Sequence, residues 1–185
     1  MVVEKGLVNH CAPTLASLKT GSLFNAVHGA DETVEQQVEE LNRQLAPRGI
    51  RMEIMRRGPH SSLIYVFRPK HLGEELSHPA VSEFLARYGY KEDGRVDDAV
   101  CRLCQRLRAS EDFPHEIGVF LGYPLDDVQS FIDNCGKNCK CTGCWKVYHN
   151  EEEAQRRFSQ FKKCSEVYRR CWEQGRSVEK LTVAS

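Results

Sequence analysis

Leu63-Ile64-Tyr65-Val66-Phe67 is a nearly continuous run of β-branched, aromatic and aliphatic residues. A strand with one face in water alternates apolar and polar side chains. A run that is apolar at every position therefore predicts a central strand covered on both faces. Ile50 to Arg57 also has strand character, and Gly58-Pro59-His60 between the two is a turn signal, so 50–68 reads as a β-hairpin.

The flanking segments supply the cover as helices. Pro13 and Thr14 open a helical stretch to about Val27, with Leu15, Leu18 and Leu23 on its apolar side. Asp31 is placed to cap a second helix, in which Val34, Val38, Leu41 and Leu45 recur at helical spacing until Pro47-Arg48-Gly49. Helices follow at roughly 78–88 and 95–109, then two short ones between Phe113 and Asp133 around Gly122-Tyr123-Pro124. Cys144 to His149 alternates Trp145 and Val147 with Lys146 and Tyr148, as a strand does, and a helix from Glu151 to about Gln174 ends at Gly175. The sequence predicts an α+β fold, a mainly helical single domain over 1–185. Its small sheet combines the hairpin at about 50–68 with a strand at about 144–149, and a long C-terminal helix follows.

Bulk composition narrows the function classes. Lysine plus arginine and aspartate plus glutamate balance at 26 each, so no global field draws the chain to nucleic acid or anionic membrane. No run approaches the roughly 18 apolar residues of a membrane span. Nine cysteines is an odd count, and Glu4, Lys5, His10 and Lys19 interrupt the apolar residues of the N-terminal segment. The expectation is a cytoplasmic protein, whose clustered cysteines are thiols or metal ligands rather than disulfides.

Cys135, Cys139, Cys141 and Cys144 fall within ten residues, among the turn formers Asn134, Gly136, Asn138 and Gly143. Four thiolates can complete a tetrahedral zinc site or hold an iron–sulfur cluster, and unligated thiols can form a redox pair. The C-x3-C-x-C-x2-C spacing matches no standard finger or ferredoxin pattern, and Cys141-Thr142-Gly143-Cys144 is its best knuckle. Four of the other five cysteines read as structural. Cys164 and Cys171 lie on the apolar stripe Ala154, Phe158, Phe161, Tyr168 and Trp172 of the last helix, and Cys101 and Cys104 sit in a regular helical pattern.

Phe113 to Pro124 with Val128 and Phe131 has the small and apolar positions of a helix-turn-helix. Its second helix carries Asp126, Asp127, Gln129, Ser130 and Asp133 and no lysine or arginine, which argues against DNA. His115 and Glu116 begin the first helix, where His115 is suited to acid–base work. On the last helix Arg156, Arg157, Lys162, Lys163, Arg169 and Arg170 make a basic stripe, either a solvated face or a surface for RNA or an acidic protein.

His10-Cys11-Ala12-Pro13-Thr14-Leu15 with Lys19, the strand Leu63 to Arg68, Phe113 to Val128 and Gly143 to Tyr148 together resemble one family over nearly the whole chain. It is a domain-of-unknown-function family found mainly in anaerobic bacteria. The resemblance implies a bacterial cytoplasmic protein and carries no established activity. The family pattern features Cys141, Gly143 and the Trp145-Lys146-Val147-Tyr148 run, but not the four-cysteine cluster. Its motif positions fall at element ends, which suggests convergence on one pocket for a small anionic ligand or cofactor. His10, Lys19, Arg68 and Lys146 would bind, His115 and Glu116 would serve acid–base chemistry, and Cys11 or Cys141 would supply a thiol. Whether such a site is enzymatic stays open. The alternatives are a zinc, iron–sulfur or thiol-redox centre at Cys135 to Cys144, and an interaction module using the basic helix.

Overall fold

The computed structural model describes residues 1–29, 33–109 and 112–184. Asp31, expected as a helix cap, lies outside them. Three strands, β1 (Gly21–Val27), β2 (Arg51–Arg57) and β3 (Ser61–Phe67), form an antiparallel sheet in the order β1-β3-β2. The apolar run is thus the central strand, and its side chains split between two cores. Leu63, Tyr65 and Phe67 join one apolar cluster, while Ile64 and Val66 join another. Alternate residues of a strand point to opposite faces, so each face carries its own helical layer.

The first layer contains α1 (Val2–His10), the single turn α2 (Ala12–Leu15) and α3 (Val34–Leu45). The second contains α4 (Pro69–Leu76), α5 (Pro79–Ala86), α6 (Val96–Ala109), α7 (Ile117–Phe120) and α8 (Leu125–Asp133). A two-stranded ribbon follows, β4 (Cys141–Thr142) with β5 (Lys146–Val147). The 23-residue α9 (Glu151–Glu173) and the short α10 (Val178–Leu181) complete the chain. The beginning of α9 packs Ala154, Phe158 and Phe161 against Trp145 and Val147 of the ribbon, and its end brings Tyr168 and Trp172 to the first layer. Cys164 and Cys171 on that helix are half-buried.

Two departures from expectation have local causes. The helix read from Pro13 to Val27 stops at Leu15, Ser17 takes a φ of 61°, and Gly21–Val27 is a strand. Leu15, Leu18 and Leu23 imitate helical spacing, yet Ser22, Phe24 and Ala26 are the buried side of the strand, and two of those three are small. The strand expected over 144–149 pairs only at Lys146 and Val147, and it belongs to the ribbon rather than to the main sheet. The Asp127 carboxylate accepts the Tyr148 and His149 backbone N–H groups at 2.8 and 3.0 Å, which takes the donors a longer ladder would use. Helices α1 and α4 were not anticipated.

Candidate functional site

The ribbon closes over the ends of α7 and α8 because aromatic residues from three segments meet there. Trp145 stacks tilted on Tyr123 at 5.1 Å and edge-on against Phe158 at 4.5 Å, with the Arg157 guanidinium 5.0 Å from its ring. Gly143 makes the approach possible, since a Cβ there would lie 2.2 Å from the Phe158 ring. The Trp145 indole N–H donates to Asp127 at 2.8 Å. Asp127 is buried and accepts three N–H groups in all, which satisfies a carboxylate without a cation. Asp127 thus points inward and does not share an exposed acidic face with Asp126 and Asp133.

Between this junction and α7 lies a cavity of about 370 Å³. Its walls are largely apolar, with Ile117, Leu121, Val128, Phe131 and Trp145 prominent. The polar or reactive side chains that line it are His115, Tyr123, Asp127, Thr142, Cys144 and Lys146. His115 and Lys146 contact one ring, since the imidazole is edge-on to Phe131 at 5.0 Å and the Lys146 amine lies 5.8 Å from the same centroid. Lys146 donates to the Gly136 carbonyl at 2.6 Å, which leaves two of its three protons unassigned. Among the described residues the His115 ring makes no hydrogen bond.

Lys19 stands beside the cavity rather than in its lining. Its amine lies 5.2 Å from the Tyr123 centroid, on a ring that forms part of the wall. Burial lowers its pKa, and the Cys144 and Cys11 thiols oppose the shift. Burial likewise pushes the Cys144 thiol up, and Lys19 and Arg157 pull it back. Cys144 is thus a protonated thiol at neutral pH with two cations near its sulfur.

Other residues singled out from sequence lie elsewhere. Cys11 is fully buried and burial raises its thiol to about 12, so it is a core group. His10 is exposed at the end of α1 and stacks on Phe24. Glu116 is buried, accepts from the Tyr90 hydroxyl at 3.1 Å and pairs with Arg106. Arg68 is fully buried and donates to the carbonyls of Thr14, Leu15 and Val183 at 2.7 Å and of Arg48 at 3.2 Å. It ties together the carbonyl-rich ends of α2, the 3₁₀ turn Ala46–Arg48 and the segment after α10, where a cation meets the negative end of each helical turn.

The cysteine cluster is divided by the ribbon's reversal. Cys144 faces Lys19 and Arg157, whereas Cys141 sits near Glu151 and Gln155 at the start of α9. Cys139 lies 3.5 Å from the Thr142 hydroxyl, and Cys135 is exposed. Among the described residues no three histidine, cysteine, aspartate or glutamate side chains are grouped to hold an ion. Arg157 of the basic stripe turns inward and donates to the Gly122 carbonyl at 3.2 Å, while the other five stripe residues are exposed.

A family model described as "Protein of unknown function (DUF3793)" matches residues 7–182. The chain belongs to this family. The match spans both helical layers, the sheet and the ribbon, so the cavity belongs to the family domain. No curated protein and no solved structure matches the chain. Among the described residues no helix is long and apolar enough to cross a membrane.

Sequence reasoning passed over the aromatic frame of Tyr123, Phe131 and Trp145 and the arginines of α6. The aromatic frame had a signal, because aromatic residues near Gly122 and Gly143 mark close backbone approach. The arginines had none, because basic residues on an amphipathic helix are ordinarily solvated.

Proposed function

We propose that the cavity binds a small organic anion with an apolar body. The observation that carries this reading is that His115 and Lys146 both contact the Phe131 ring and both line a mostly apolar hollow. Apolar walls favour a hydrophobic ligand by about 25 cal/mol per Å² buried. A few convergent polar groups fix its orientation. The Lys146 amine, held by Gly136, offers a partly fixed charge to an acidic group, and His115 offers a further N–H or a proton. Cys144 is the thiol this site presents, in place of Cys11 or Cys141. Lys19 adds positive potential from behind Tyr123. His10 and Arg68 take no part.

Trp145 reports on the cavity directly. In a Trp172→Phe background, titration with 3-phenylpropanoate is expected to change Trp145 fluorescence saturably. The neutral analogue 3-phenylpropanol should bind more weakly. Lys146→Met should weaken the carboxylate on the order of tenfold, the scale of one charge-assisted hydrogen bond. A saturable response that is equal for acid and alcohol, or unchanged in Lys146→Met, refutes the anionic part of the reading. No saturable response refutes the site.

A further inference from the structure

Arg102 and Arg106 stand one turn apart on α6, each held by its inner edge. Arg102 donates through Nε and Nη2 to the Tyr88 carbonyl at 3.4 and 3.0 Å. Gly89 leaves room for it, since a Cβ there would lie 2.8 Å from Nη2. Arg106 donates through Nε to buried Glu116, and its guanidinium lies 5.2 Å from the Tyr88 centroid. Nη1 of Arg102 and both Nη groups of Arg106 have no hydrogen-bond partner among the described residues. The two side chains border a groove of about 760 Å³ that shares His115 and Phe113 with the cavity.

A guanidinium is a planar fork whose outer N–H groups match a phosphate or carboxylate edge. Ordinary surface arginines lose side-chain freedom on binding. Here the backbone carbonyl, the aromatic ring and the buried carboxylate have already fixed both, which reduces that loss. Glu116 and Asp112 on the same rim equal the two arginines in number, so the groove's attraction for an anion rests on the outward guanidinium N–H groups and not on a net charge. Glu116 is then a positioning residue, aiming Arg106 while staying out of the groove's chemistry.

We propose that this groove is a phosphate-class anion subsite, continuous with the cavity through His115. The preferred ligand is then a small molecule with an apolar body, one acidic group at Lys146 and a phosphate at Arg102 and Arg106. This inference rests on the ligand-binding reading of the cavity, and the two are separable by probe. Inorganic pyrophosphate, followed by calorimetry and ³¹P line width at low ionic strength, reports on the groove, and 3-phenylpropanoate reports on the cavity.

Arg102 is the residue to change, because removing Arg106 would strand the buried Glu116 carboxylate. Arg102→Ala is expected to weaken pyrophosphate about tenfold, and Arg102→Lys to recover part of the loss. The 3-phenylpropanoate response should persist in Arg102→Ala, and Lys146→Met should leave pyrophosphate unchanged. No pyrophosphate binding, or equal binding by wild type and Arg102→Ala, overturns the subsite. Loss of pyrophosphate in Lys146→Met instead places the anion in the cavity and also overturns it. Arg102-dependent pyrophosphate binding with no 3-phenylpropanoate response supports the groove and removes the cavity reading alone.

Discussion

Arg68→Met removes the donors of a buried cation while retaining most of its aliphatic volume. The guanidinium makes four hydrogen bonds to carbonyls, and among the described residues no carboxylate pairs with it. Two of those carbonyls keep another donor, since Thr14 O also accepts from Ser17 N at 3.2 Å and Leu15 O from Val183 N at 3.0 Å. The Arg48 and Val183 carbonyls lose the bond that Arg68 provides. A hydrogen bond to a charged group contributes about 1.5–3 kcal/mol, and the two part-buried bonds together give a loss on the order of 4 kcal/mol. Relief of the cation's own desolvation reduces this, so about 3 kcal/mol is expected. With a urea slope of about 2 kcal/mol/M, the midpoint should fall by about 1.5 M. Urea titration followed by far-ultraviolet circular dichroism measures it. Deleting the last three residues removes the Val183 contacts, so its cost should be less than additive with Arg68→Met. A midpoint shift below about 0.3 M, or full additivity with the truncation, would refute the clamp. A loss of 3-phenylpropanoate binding in a stably folded Arg68→Met protein would return Arg68 to the ligand site.

Three further outcomes follow from the same structure. The Cys11 thiol is raised from 9.0 to about 12 by burial, so between those pH values the unfolded chain ionises and the folded one does not. Stability should fall by about 1.4 kcal/mol per pH unit from this group above pH 9, and Cys11→Ala should show a shallower alkaline slope in urea titrations. Equal slopes would contradict the burial of Cys11. Glu116→Gln keeps the Tyr90 contact but ends the ion pair with Arg106, whose side chain is 29% exposed, and should cost about 2 kcal/mol. The 3-phenylpropanoate response should survive that change, and its disappearance from a folded variant would argue for a direct role of Glu116 in the cavity. Chelation should leave the thermal midpoint unchanged, because the ribbon's reversal separates Cys144 from Cys141. Stoichiometric zinc or iron in anaerobically purified protein, with a midpoint lowered by chelator, would restore the metal reading.

The parts of the fold readable from the chain are those whose signal is long and local. Helices α3, α6 and α9 each repeat one apolar period over twelve or more residues, and the β2–β3 hairpin is marked by a continuous apolar run beside a Gly-Pro turn. Strand β1 escapes such reading because Ser22 and Ala26 on its buried side do not contrast with their neighbours. The candidate site divides in the same way. His115 and Lys146 stood out as polar residues at element ends. The roles of Asp127 and Glu116 depended on Trp145, 18 residues along the chain, and on Tyr90, 26 residues away.

The sequence by itself determined the α+β class, the doubly covered central strand and the long helix that closes the molecule. These follow from side-chain periodicity, which needs only the geometry of a single element. Tertiary structure alone decided what the polar residues do. Arg68 and Lys146 are both basic residues at or near a strand, yet one is enclosed by the carbonyls of three distant segments and the other reaches a cavity edge. A charged side chain takes its role from the partners that surround it and from how much water they exclude, and most of those partners are remote in the chain.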